Sequence, residues 1–199
     1  MNLTPIYQNF IFTTFVLFVF FSIVQLNYRN KLQLNYFMAG AFLSGGLIFL
    51  YLWMFLLGLL KYAPFLMHIH LTFILFIGPC FYFYFSAISG VKKYKTATIL
   101  LHFIPFIASL IFITILNIND DSIVSVYNSN PAILLNCTVN NTIYTINMIS
   151  NISVSIYMLF TLYQVSIIFK SSKLKREMKM VLLFLILFLF SAFLMLSGD

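Results

Sequence analysis

Six stretches of this chain are apolar almost without interruption, and short polar clusters separate them. The runs are Phe10–Leu26, Tyr36–Leu60, Phe65–Ile88, Thr98–Leu116, Ile146–Phe169 and Met180–Leu196. Each is close to the roughly 17–25 residues a helix needs to cross a hydrocarbon core of roughly 30 Å. A backbone in lipid must satisfy its own hydrogen bonds, which favours helices, and the alternation of barrel strands is absent. The pattern predicts an all-α integral membrane fold: a six-helix transmembrane bundle, with residues 1–199 as a single polytopic domain. The long connection from Asn117 to Thr145 carries Asp120, Asp121 and many Asn, Ser and Thr residues. It is too polar for the bilayer, and it predicts a short external cap between the fourth and fifth helices.

Composition points the same way. The chain is 62% apolar and 8% charged, where soluble domains run near ~45–50% and ~25%. The net charge of +7 raises the question of nucleic acid, but the basic residues sit in short loops between apolar runs. Membrane proteins distribute them in that way, and a DNA-binding face does not. Ten of the eleven Lys and Arg residues fall in alternate loops: Arg29 and Lys31; Lys92, Lys93 and Lys95; and Lys170, Lys173, Lys175, Arg176 and Lys179. Only Lys61 lies on the other side. The positive-inside rule then makes the odd-numbered loops cytoplasmic and puts both termini outside. The expected location is the inner (cytoplasmic) membrane, multi-pass. No Lys or Arg precedes the first run, so it reads as a mature helix rather than a secretory signal. Cys80 lies within a run and Cys137 in the polar loop, which implies no disulfide framework.

Candidate chemistry is sparse. No Asp, Glu, Lys or Arg lies inside a span except at its ends, which argues against a pump or coupled transporter. No phosphate loop, paired carboxylate or Ser/His/Asp constellation is present, so the expectation is no enzyme, no catalytic or metal-binding residue and no cofactor. On a helix His68 and His70 would point about 200° apart, unlike a metal pair. His102 stands near the start of the fourth helix. Breakers fall within runs: Gly45-Gly46 offers a close approach or a kink, while Gly78, Pro79 and Pro105 are candidate hinge positions. The fifth helix is the most polar. Asn147, Asn151 and Ser155 recur every fourth residue, and Ser150, Tyr157, Thr161 and Gln164 adjoin them. This half of the helix is expected to face the bundle interior, through interhelical hydrogen bonds or as a ligand pocket.

The third and fourth runs carry a more specific pattern. Leu66-Met67-His68-Ile69-His70 leads to Ile77-Gly78-Pro79-Cys80-Phe81-Tyr82-Phe83-Tyr84. After a short basic loop comes Leu100-Leu101-His102-Phe103-Ile104-Pro105. Between about Phe65 and Phe106 the chain resembles the N-terminal membrane domain of AraC-type bacterial transcriptional regulators. The matching motif positions are Gly78, Pro79, Tyr82, Tyr84, His102 and Pro105. The resemblance implies an N-terminus outside, one more crossing than is found here and a cytoplasmic helix-turn-helix domain. This chain has neither of the latter two, so the expectation is a membrane-embedded sensor or anchor portion without its DNA-binding domain. The implied partners are membrane lipids, a small-molecule or membrane-derived signal and a second copy of the chain as a homodimer. Direct nucleic-acid contact is not expected, because the basic cluster from Lys170 to Lys179 is a short loop suited to anionic headgroups.

The alternative is a stand-alone polytopic protein, such as a small transporter or a serpentine-receptor-like fragment. For the receptor, Asn136-Cys137-Thr138 and Asn140-Asn141-Thr142 fit the glycosylation pattern on the expected outer side. Against it, Cys80 lies too deep in its helix to reach Cys137, and no acidic-Arg-aromatic triplet follows the third run.

Overall fold

The computed structural model describes residues 5–27, 33–89, 94–119 and 141–170. Within them all regular structure is helical: α1 (Pro5–Asn27), α2 (Gln33–Leu56), α3 (His70–Ser89), α4 (Thr96–Asn119) and α5 (Asn141–Lys170). Each of the five is long and apolar enough to cross a membrane. The expected sixth helix, the heart of the external cap and most of the basic loop residues lie outside the described residues.

The helices start and stop for local reasons that hydropathy does not register. The apolar run continues to Leu60, yet α2 ends at Leu56. Gly58 takes φ 68°, a left-handed value that is easy for glycine and closes the helix. Two short 3-10 turns follow, Leu59–Tyr62 and Pro64–Leu66. His68 then adopts φ 60°, uncommon for a residue with a β-carbon, and α3 begins only at His70. The expected helices, Tyr36–Leu60 and Phe65–Ile88, overrun both ends of this link. The link is apolar for another reason, because Leu60 and Met67 are buried with Tyr51, Phe55, Leu71, Ile113 and Ile143 in one cluster. Its buried carbonyls still need partners. The buried Asn117 side chain of α4 supplies them, donating to the carbonyls of Phe65 (3.3 Å) and Met67.

α3 is the axis of the bundle. Of its span 61% is buried, against 11% for α1 and for α4. α1 packs on α2, α2 on α3, and α3 carries both α4 and α5. The α1–α2 seam is aromatic, with Phe18 lying against Phe42 and Phe49. Of the two options for Gly45-Gly46, the structure takes the close approach. α2 is unbroken there, and a β-carbon on Gly45 would lie 2.5 Å from the Phe18 ring. A second cluster ties α2, α3 and α5 together through Met38, Ala41, Ile77, Phe81, Phe85, Met158 and Val165. Outward faces carry large apolar side chains such as Phe10, Phe20, Leu101, Ile111 and Leu159. Spread over α1, α2, α4 and α5, such a surface suits hydrocarbon rather than water.

Candidate functional site

Two of the helices that α3 carries, α4 and α5, meet across a polar bridge. His102 Nδ1 and the Tyr157 hydroxyl are 2.6 Å apart. Tyr82 of α3 stands beside this pair, its ring 6.1 Å from that of His102 and 6.0 Å from that of Tyr157. The Tyr82 hydroxyl is 2.7 Å from that of Tyr94, and Ser86 donates to the same Tyr94 oxygen at 3.1 Å. Phe83 braces the group from behind, edge-on to His102 at 5.2 Å and to Tyr94 at 5.2 Å. In front opens a cavity of about 540 Å³. Tyr82, His102 and Tyr157 form its polar end, and Ile149, Ile152, Ile156 and Phe160 of α5, with Ser153 among them, its mainly apolar wall.

Gly78 makes the assembly possible. A β-carbon there would lie 2.9 Å from Tyr157 Cδ2 and 3.1 Å from Tyr157 Cβ, so the tyrosine is seated directly on the α3 backbone. The next residue, Pro79, is fully buried, and α3 runs as helix across it. Pro105 also lies inside an unbroken helix but faces outward on α4. Tyr82 and Tyr84 point to different surroundings, as two positions separated by two residues on a helix must. Tyr82 reaches the cavity, and Tyr84 packs on the cluster shared by α2, α3 and α5.

The polar row of α5 behaves differently from its sequence reading. Asn147 and Asn151 are half-buried and Ser155 is exposed, while Ser150, Thr161 and Gln164 are buried. A strict spacing of four advances about 40° per step around a helix of about 3.6 residues per turn, so the row winds out of the interface. Ser150, Val154, Tyr157 and Thr161, alternating steps of four and three, track the α3 seam instead. Unlike that of Tyr157, the Ser150, Ser155 and Thr161 hydroxyls do not reach across to other helices. Ser150 donates to the Ile146 carbonyl, Ser155 to Asn151 and Thr161 to Tyr157, each within α5. Asn151 likewise donates to the Asn147 side chain at 3.2 Å. Such back-bonding lets a polar helix sit in lipid. The Gln164 Oε1 is buried without a hydrogen-bond partner among the described residues.

At the opposite end of α3 the other two histidines require a correction. His68 is not helical, and His70 is the first residue of α3, so the expected 200° separation does not apply. Their rings lie 6.4 Å apart, and His70 stacks on Tyr51 at 4.2 Å. The Tyr51 hydroxyl accepts the His68 backbone N–H at 3.4 Å. Among the described residues no group of three His, Cys, Asp or Glu side chains is arranged to hold a metal. Burial pushes His68 from 6.5 down to about 4. The unfolded chain therefore binds the proton first as pH falls. The stability held by neutral His68 is complete above pH 6.5, declines between 6.5 and about 4, and falls no further below that. Unfolding midpoints of the detergent-solubilised protein should drop across that window, and drop less in His68→Gln. Parallel curves for the two proteins would show that His68 is not the titrating group.

No family model, no curated protein and no solved structure matches the chain. The site therefore stands on its own geometry. Tyr82 and His102 were visible in the sequence as motif positions and Tyr157 as one of several polar residues on the fifth helix. Tyr94 was missed. It follows a lysine pair and resembles the interfacial aromatics that flank most spans, a signal that says nothing of a partner at Tyr82.

Proposed function

We propose that this chain is the membrane-embedded sensor or anchor portion of an AraC-like regulator, with the cavity beside His102 as its sensing element. The observation that carries the reading is the 2.6 Å contact between His102 and Tyr157, with Tyr82 alongside. Gly78, Tyr82 and His102 come from the two separate motifs of the resemblance, and they converge on one residue of α5. A sensor needs a place where helices meet through groups that a ligand can compete for, and this contact is such a place. The sixth run, Met180–Leu196, is the last crossing of this reading, and the external cap joins α4 to α5. The charge asymmetry supports an N-terminus outside the inner membrane, with Lys95 and the Lys170–Lys179 loop on the cytoplasmic side.

Two measurements test it. Reporter fusions after Lys95 and after Lys179 should behave as cytoplasmic, and a fusion after Asp199 as external. A cytoplasmic signal from Asp199 would remove the six-crossing topology. For the function, a downstream coding segment with a further crossing and a helix-turn-helix unit supports a regulator. A gene neighbourhood of transport components without such a unit overturns it.

A further inference from the structure

We propose that the cavity between α4 and α5 binds an uncharged, carbonyl-headed lipophile of the quinone class, dissolved in the bilayer. The proposal rests on the sensor reading above and adds its ligand. His102 and Tyr157 hold one ring N–H and one O–H between them, and their mutual bond uses a single donor. In one tautomer the imidazole Nε2–H is left over, and in the other the Tyr157 O–H. Either way the pair presents one unused donor. Tyr82 and Tyr94 repeat the pattern. Their contact uses one O–H, Ser86 donates to the Tyr94 oxygen, and when Tyr94 is the donor the Tyr82 O–H is the one left at the cavity. The polar end of the cavity therefore presents the unused donor of the His102–Tyr157 pair, and a hydrocarbon surrounding offers no acceptor to complete it. His102 lies about 9 Å from the start of α4, at about 1.5 Å per residue. A ligand that supplies a bare acceptor oxygen completes the His102–Tyr157 pair.

The walls narrow the class. Among the described residues no charged side chain lines the cavity, so a phosphate or carboxylate head would find no counter-ion there. Tyr82, Tyr157 and Phe160 offer ring faces and edges to a flat head. Ile149, Ile152 and Ile156, each about half exposed, form a stripe on α5 leading away from that end. An isoprenoid or alkyl tail lies naturally along it. The volume of about 540 Å³ falls in the range of pockets for small organic ligands. A carbonyl oxygen between His102 and Tyr82, with the tail along α5, satisfies every feature at once.

The test uses the full chain in phosphatidylcholine nanodiscs, titrated with a para-benzoquinone bearing a decyl tail. Decylbenzene, which lacks oxygen, and decanoate, which is charged, serve as comparison ligands. We expect saturable quinone binding, weakened about tenfold in His102→Ala and Tyr157→Phe, while decylbenzene only partitions and decanoate competes poorly. Ile152→Trp fills the cavity without touching the hydrogen bonds, so it should block binding and leave the unfolding midpoint near wild type. Quinone uptake that is non-saturable, or identical in all four proteins, overturns the proposal. So does decanoate binding as tightly as quinone. A quinone-binding chain with no effect on any output would keep this site and remove the sensor reading. An output that responds without binding quinone would keep the sensor and remove this ligand.

Discussion

Phe83→Ala should be among the most damaging single truncations in the bundle, lowering unfolding stability by about 3 kcal/mol. The ring is buried, with 2% of its surface exposed, and it sits where three elements converge. Phe37 of α2 lies 5.5 Å from it, His102 of α4 at 5.2 Å and Phe103 at 6.3 Å. In a water-soluble core the cost would combine lost transfer from water with the cavity left behind, about 3–5 kcal/mol together. In lipid the transfer part shrinks, because hydrocarbon solvates the exposed ring almost as well as the protein does. What remains is lost contact and an empty volume, hence the lower end of that range. Phe160→Ala is the internal control. Its ring is 55% exposed, so the same chemical change there should cost well under half as much. Reversible unfolding in mixed micelles gives both values. Equal losses at the two positions would mean that α3 is not the packed axis.

The contrast between these two phenylalanines also shows where the sequence was readable. Hydropathy locates membrane-spanning runs because lipid imposes one requirement on the whole backbone, and five of the six runs coincide with helices in the described residues. It does not distinguish apolar residues facing lipid from those facing a neighbour, since both environments are apolar. Phe83 and Phe160 look alike in the sequence for that reason. The same blindness explains the link between α2 and α3. Leu60 and Met67 continue the apolar run, and the left-handed turns at Gly58 and His68 leave no hydropathy signal. Polar residues were easier to find than to interpret. Asn147, Asn151 and Ser155 stood out by spacing, but hydroxyl and amide groups satisfied within one helix are invisible to a pattern. The resemblance picked out Gly78, Tyr82 and His102 in the sequence. Their meeting at Tyr157 depends on α4 and α5 both lying on α3, a tertiary fact.

Gly78→Val tests that tertiary fact directly, and it should cost about 2–3 kcal/mol. The usual argument for replacing a helical glycine runs the other way, since a side chain there gains up to ~1 kcal/mol of helix propensity. Sterics decide the sign here. The nearest atoms to a new β-carbon are Tyr157 Cδ2 at 2.9 Å, Cβ at 3.1 Å and Cγ at 3.2 Å. Two of these belong to the root of the side chain, so rotating the ring cannot clear them. α5 itself must step back from α3. Gly40 is the useful comparison, because its nearest neighbour is the outer edge of the Phe76 ring at 3.0 Å, which can swing aside. Gly40→Ala should therefore be mild. The displacement at Gly78 has a second consequence at the site. If α5 moves, the 2.6 Å contact between Tyr157 and His102 is lost with it. Tyr157→Phe should then lower stability in the wild-type background, by roughly 0.6 kcal/mol as for an average membrane hydrogen bond. In the Gly78→Val background it should cost nothing further. That double-mutant cycle separates a seat from a hinge, the other role its place beside Pro79 suggests. A hinge glycine replaced by valine would stiffen α3 but leave Tyr157 in place, and the two substitutions would then add.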